Sequence, residues 1–266
     1  MSKRLIELLN GFRSNLKFSN GLQIIFNRLF RRDAALAAYI WQNRFFFVSN
    51  SRLGDHISLQ EIFAEKVYDP LLDRCEFPGR RIRYVNIGAN IGAFDVKLVE
   101  RGLEIESGLA VELNPLTYQR CLVNLQTNHL EHTRLLNVGV AGTDGFLDFE
   151  PSKITAGDNI YSTGHAASRT AMRVELMSLE SLLKRHAPDG PRLDLLKLDC
   201  EGAEYPMIRL SPAAVLGRFR YVIVEFHVEP PGESVAAAYA KLREAGFKSL
   251  GGEPQRLPFV ELFTRP

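Results

Sequence analysis

Three short stretches carry residues whose types and spacing suit chemistry. Asp199-Cys200-Glu201-Gly202-Ala203-Glu204 follows the apolar run Leu195–Leu198, and Glu225-Phe226-His227 closes the run that starts at Tyr221. Carboxyls crowded into a recess are raised in pKa by desolvation and by one another, which brings one of them into the range of a general base. An unperturbed histidine such as His227 titrates near neutrality. Asp199, Glu201 and His227 are therefore the candidate catalytic residues, and a substrate hydroxyl proton is what they would remove. Each also has a structural reading. Asp199 suits a helix N-cap, Glu201 and Glu204 suit a positive helix start, and His227 suits a hydrogen-bonded structural role. The oxygens of Asp199, Glu201 and Glu225 have the chemistry to hold a divalent cation, but no metal is expected. His129 and His132 lie in a connection, and Cys75, Cys121 and Cys200 lack metal-ligand spacing.

The third stretch is Tyr84-Val85-Asn86-Ile87-Gly88-Ala89-Asn90-Ile91-Gly92. Strand-forming residues run into a glycine turn, and a helical pattern continues to Glu100 with Gly102 as its C-terminal glycine. A strand, a glycine turn and a helix open a nucleotide-binding βαβ unit, with free N–H groups at the helix start facing the ligand. Glu112, 20 residues beyond Gly92, ends the next predicted strand. A carboxylate there accepts two hydrogen bonds from a ribose, or sits at the surface as an ordinary strand end. Asn90 stands where G-x-G-x-x-G has its middle glycine, which weakens a dinucleotide reading and suits a nucleoside without phosphates. The candidate ligand-binding positions are Asn86, Gly88, Ala89, Asn90, Gly92, Glu112 and Asn137, the last at the end of the third strand.

The elements that must position these residues alternate. From Arg83 the pattern predicts strand Tyr84–Ile87, helix Ile91–Glu100, strand Ser107–Glu112, a helix opened by Pro115, and strand Arg134–Val140. A hairpin at Thr143-Asp144-Gly145 returns through Phe146–Phe149, and strand Arg173–Met177 leads into helix Ser178–His186. Strands Leu195–Leu198 and Tyr221–Phe226, helix Ser234–Ala245 and a final antiparallel hairpin (Phe247–Leu250 with Leu257–Thr264) complete the series. This alternation predicts a mostly parallel, doubly wound α/β sheet with its ligand at the carboxyl ends of the strands. Residues 151–170 read as a long loop whose Asp158, His165 and Arg169 either touch substrate or are ordinary polar loop residues.

Ahead of the sheet, residues 4–43 read as two or three amphipathic helices, through Leu5, Leu8, Leu9 and Phe12, then Leu22, Ile25, Phe26 and Leu29, then Ala34–Trp41. Phe45–Val48 reads as a short strand. Ser58 with Glu61 three residues on reads as the capping box of a helix that stops before Pro70. The Pro78-Gly79 turn separates an N-terminal helical extension, 1–78, from a ligand-binding domain, 79–266. At 45% apolar and 24% charged residues, the chain of 266 has an ordinary globular composition, which argues against disorder as its working state. Net charge is +2, yet residues 1–50 carry eight basic against two acidic residues. That excess suits peripheral contact with a membrane surface or an anionic substrate, or is a solvated helical face. With no apolar run of 18 residues and no signal-peptide pattern, neither a membrane span nor a leader is expected. The odd cysteine count fits reduced thiols in a cytoplasmic protein. No nucleic-acid partner is expected, and the oligomeric state stays open.

Four segments, in order, resemble the FkbM family of S-adenosylmethionine-dependent methyltransferases. They are Val85–Gly92, Val111-Glu112-Leu113-Asn114-Pro115, Leu196-Lys197-Leu198-Asp199-Cys200-Glu201-Gly202-Ala203-Glu204, and Val224-Glu225-Phe226-His227. The resemblance implies a Rossmann-like class I methyltransferase sheet of seven strands with the last antiparallel. It implies S-adenosyl-L-methionine at the first turn with Glu112 on its ribose. It also implies O-methylation of a hydroxyl on a sugar, glycan or related small metabolite. The family usually has Asp where this chain has Asn86. Two alternatives stand beside it: a nicotinamide-dependent oxidoreductase, weakened by the missing glycine, and a non-catalytic methyltransferase-like binding protein, kept open by the charge lost at Asn86.

Overall fold

The computed structural model describes residues 11–30, 36–49, 54–149, 172–187, 192–252 and 254–266. A turn of helix over 11–16 leads to α1 (Gly21–Phe30), which buries Ile24. The helical pattern expected to continue to Trp41 gives way to a strand, β1 (Leu36–Trp41), paired antiparallel with β2 (Arg44–Ser49). Ala37 and Tyr39 point inward, so a two-residue period overrides the helix propensity of the alanines. Gln42 turns the chain at φ 52, with no glycine to announce the hairpin. The N-terminal region is therefore mixed rather than helical. α2 (Asp55–Leu59) starts behind Gly54, earlier than the Ser58 cap predicts, and runs into a π-helical turn over Gln60–Glu65. α3 (Asp69–Leu72) takes Pro70 into its first turn. Leu5, Leu8 and Leu9, like the 151–170 loop with Asp158, His165 and Arg169, lie outside the described residues.

The alternation read from Arg83 onward builds the main sheet. β3 (Arg81–Ile87) leads through the glycine turn to α4 (Ala93–Glu100), then β4 (Glu104–Val111), α5 (Pro115–Thr127) and β5 (Thr133–Leu136). Asn114 caps α5, accepting from Leu116 and Thr117, and Pro115 needs no N–H donor partner there. The third predicted strand divides. β5 stays in the large sheet, while β6 (Gly139–Ala141) leaves for a smaller one. Nor does Thr143–Gly145 close a hairpin. β6 and β7 (Gly145–Phe149) both pair with β8 (Met172–Ser178), in the order β6-β8-β7. Asp144 instead accepts from Ser178 N and Ser181 Oγ, each at 2.6 Å, at the start of α6 (Leu179–His186).

β9 (Leu193–Leu198), α7 (Glu204–Leu210), α8 (Ala213–Leu216), β10 (Phe219–Phe226), α9 (Val235–Glu244), β11 (Lys248–Ser249) and β12 (Phe259–Thr264) complete the chain. The seven-stranded order is β11-β12-β10-β9-β3-β4-β5. β12 runs antiparallel to both neighbours and all other pairings are parallel. The order reverses between β3 and β9, the switch point at which open α/β sheets bind ligands.

Two apolar layers cover the sheet. One joins residues of α6, α7 and α9 to one face, including Leu182, Ile208 and Leu242. The other holds α4 and the N-terminal region together, with Phe46, Phe63 and Tyr68 beside Tyr84 and Phe94. Buried amides fasten that region down. Asn124 of α5 donates to the Phe47 and Ile91 carbonyls and accepts from Phe47 N at 2.7 Å, and Asn128 accepts from Phe45 N at 3.0 Å. Buried Asp55 pairs with Arg120 at 2.5 Å and accepts from Ser49 N at 2.8 Å. No helix among the described residues is long and apolar enough to cross a membrane.

Candidate active site

The carboxyl ends of β3, β4, β9 and β10 open onto a cavity of about 370 Å³, within the range of small-molecule sites. On one side lie Gly88, Ala89, Asn90 and Glu112; on the other, Asp199, Glu201, Glu225 and His227. Ser58, Glu61 and Tyr68 reach it from the N-terminal region.

The glycine turn is built by close approach. A Cβ at Gly88 would collide with the Asp199 carbonyl oxygen, and φ there is 78°, so only glycine fits. Glu112 accepts from Asn90 N at 2.8 Å and Asn114 N at 2.9 Å, which fixes its carboxylate at the cavity edge. Three predicted positions do not line the cavity. Gly92 makes room for another helix, since its Cβ would meet Leu125 and Cys121 of α5 at 3.1 and 3.2 Å. Asn137 braces the strand end, donating to the Glu112 and Leu113 carbonyls at 2.8 and 3.0 Å. Asn86 is fully buried and donates to Asp95 Oδ2 at 2.8 Å, while Tyr84 OH donates to Asp95 Oδ1 at 2.7 Å. Burial pushes the Asp95 carboxyl up to about 6 against the opposing pull of these two donors.

The acidic side is organised by two cations. Lys197 Nζ, buried near the rings of Tyr68 and Phe94, donates to Asp199 Oδ2 at 2.8 Å and to the Gly88 carbonyl at 3.1 Å. His227 Nδ1 lies 3.2 Å from Oε1 of fully buried Glu204, which also accepts from His227 N and, through Oε2, from Gly202 N. That leaves Nε2 facing Asp199 at 3.7 Å, Glu201 at 3.6 Å and Glu225 at 3.8 Å. Burial pulls the imidazole down, but the Glu204 hydrogen bond and the Asp199, Glu204 and Glu201 charges prevail and lift it to about 9. Glu201 is pushed up to about 7 by desolvation and by Asp199 and Glu225, against the pull of His227. It holds a left-handed φ of 53°, a strained setting for a side chain with a Cβ. Desolvation and Asp199 also raise Glu225. Candidate ligand atoms of Asp199, Glu225 and His227 fall within 4.8 Å of one another, a spacing that would accommodate a cation.

Tyr68 and Glu61 were not predicted as site residues. Tyr68 OH donates to Glu225 Oε2 at 2.8 Å, across 157 residues of sequence. Glu61, though open to the cavity, is pushed up to about 7 by desolvation, then by Glu225, Asp199, Glu65 and Glu201.

Residues 86–249 match the family model of the methyltransferase FkbM domain. The chain belongs to the FkbM methyltransferase family. The FkbM match takes in every candidate site residue predicted from sequence and leaves out Ser58, Glu61 and Tyr68. Similar solved structures include the methyltransferase FkbM from Methylobacillus flagellatus KT, 11% identical over 78% of this chain and 52% of its own, with a TM-score of 0.46. This FkbM chain thus spans about half the length of that protein. Precorrin-6y C5,15-methyltransferase from Geobacter metallireducens GS-15 is 11% identical over 79% of this chain and 86% of its own, at a TM-score of 0.40. Comparison with curated proteins finds no match.

Proposed function

We propose that this FkbM chain transfers a methyl group from S-adenosyl-L-methionine to a hydroxyl oxygen of a sugar, glycan or related metabolite. The observation that carries the reading is the charge on the cavity wall. Glu61, Glu112, Asp199, Glu201 and Glu225 line it with Lys197 and His227. A carboxylate-rich wall favours a cationic methyl donor and opposes the pyrophosphate of a nicotinamide dinucleotide. The donor set fits the nucleoside as well. Glu112, held at the cavity edge by Asn90 N and Asn114 N, has the carboxylate chemistry to accept from ribose hydroxyls. When bound, the cofactor supplies an electrophilic methyl group on a sulfonium.

Within this reading the chain's own residues orient the acceptor and take its proton. Asp199, held by Lys197, presents Oδ1 toward the cluster. His227 carries its proton at neutral pH, so it holds the carboxylates in place rather than acting as base. Glu201, at about 7, is the proton acceptor. Positioning of the hydroxyl supplies much of the remaining rate.

Calorimetric titration of the chain with S-adenosyl-L-methionine and with NAD tests the reading. Micromolar binding of the first and none of the second is expected, and the reverse would overturn it. In Glu112→Ala the cofactor Kd should rise about tenfold or more. Turnover should follow a bell-shaped pH profile. Glu201 must be deprotonated to accept, so the rate climbs as pH rises through about 7, and it falls as His227 loses its proton toward about 9. In Glu201→Gln the rising limb near 7 should vanish with most of the rate; a limb that persists would assign the proton to another group.

A further inference from the structure

The pattern Ser58-x-x-Glu61 predicts that Glu61 folds back to cap its own helix. The structure removes that duty, because α2 begins at Asp55. Glu61 stands instead in the π-helical turn, whose extra residue per turn is a recurrent feature of functional sites. Its carboxylate faces the cavity and has no hydrogen-bond or ion-pair partner among the described residues. The wall that carries it is rigidly seated. Phe63 is buried beside it in sequence, Asp55 is locked to Arg120, and Tyr68 packs edge-on against Phe94 at 5.1 Å while bonding Glu225. An unpaired acceptor on a firmly seated wall, lining the same cavity as the candidate catalytic cluster, is placed to meet the substrate.

We propose that Glu61 is an acceptor-binding residue supplied by the N-terminal region. Its carboxylate accepts a hydrogen bond from a hydroxyl neighbouring the one that reacts. Together with Asp199, Glu201 and Glu225 it restricts acceptors to uncharged polyols and turns away uronic acids. The charge argument is direct: a substrate carboxylate in this cavity would face the carboxyls of Glu61, Asp199, Glu201 and Glu225, with Glu112 on the same lining, against Lys197 and His227 among the described residues. The inference rests on the hydroxyl-methylation reading and extends it to substrate class.

Saturation-transfer NMR on the full chain with S-adenosylhomocysteine tests it, using methyl glycosides of neutral hexoses and 6-deoxyhexoses against the matching methyl hexuronates. Neutral glycosides should bind and hexuronates should not. Glu61→Ala should weaken the neutral glycosides about tenfold, with S-adenosylhomocysteine affinity and melting temperature unchanged. Glu61→Gln should retain neutral binding. Absence of binding by every neutral glycoside, unaltered binding in Glu61→Ala, or hexuronates binding wild type as well as neutral sugars would each overturn the proposal. Failure of the wild-type chain to bind S-adenosylhomocysteine would instead bring down the methyl-transfer reading beneath it.

Discussion

Replacing Asp199 by Asn and His227 by Gln together is expected to lower turnover by roughly 10³-fold, with S-adenosyl-L-methionine affinity nearly unchanged. Asp199 follows β9 and His227 follows β10, whereas Glu112 follows β4, two strands from β9 in the sheet. The amide oxygen introduced by Asp199→Asn can still accept from Lys197, so the Lys197 bond to the Gly88 carbonyl survives and the donor side keeps its shape. What is lost is the oxygen that orients the hydroxyl and the cation that gathers Asp199, Glu201 and Glu225 within 3.8 Å of one nitrogen. Single-turnover rates and calorimetry on the same preparation separate the two effects. Unchanged turnover would take both residues out of the chemistry. A large loss of cofactor affinity would make them part of the donor side instead.

The second large effect concerns Asn86. Restoring the aspartate that the family resemblance leads one to expect should damage this protein. Asn86 donates to Asp95 at 2.8 Å in a fully buried setting, and the substitution replaces that donor with a second carboxyl. One proton must then be shared, and the pair's pKa in the folded state rises above its unfolded value of about 3.9. The folded state then binds more protons than the unfolded one, so stability is retained at low pH and lost as pH rises through the folded value. For Asn86→Asp we expect a deficit of about 3 kcal/mol at pH 8, read as a fall of roughly 6–12 °C in Tm, and a much smaller one at pH 5. Equal deficits at both pH values would mean that the two carboxyls do not interact. Asp95, in the first turn of α4, is the buried carboxyl that Asn86 serves, and like Asn86 it does not line the cavity.

Much of the site was legible because strand ends were. Reading which polar residues close each apolar run brought Glu112, Asp199, Glu201, Glu225 and His227 together before any coordinates, and the parallel order of β10-β9-β3-β4 places them around one cavity. What local patterns could not give was long-range docking. Ser58 and Glu61 have a sufficient local explanation as a capping box, so nothing marks Glu61 as a cavity residue until α2 is seen to start early. Tyr68 bonds Glu225 from 157 residues away in the sequence. Asn137 looked like a ligand because it ends a strand, yet its amide is spent on the Glu112 and Leu113 carbonyls where β5 and β6 part company. In β1 the alanines mask an alternating strand, and its turn at Gln42 uses neither glycine nor proline.

The close approach of Gly88 to Asp199 has a consequence for how such a site can change over generations. No side chain fits at 88 while the Asp199 backbone stays where it is, and Lys197 joins the same two residues from beneath. The Gly88 turn and the Asp199 strand end therefore behave as a single heritable piece: neither can drift by small steps without the other.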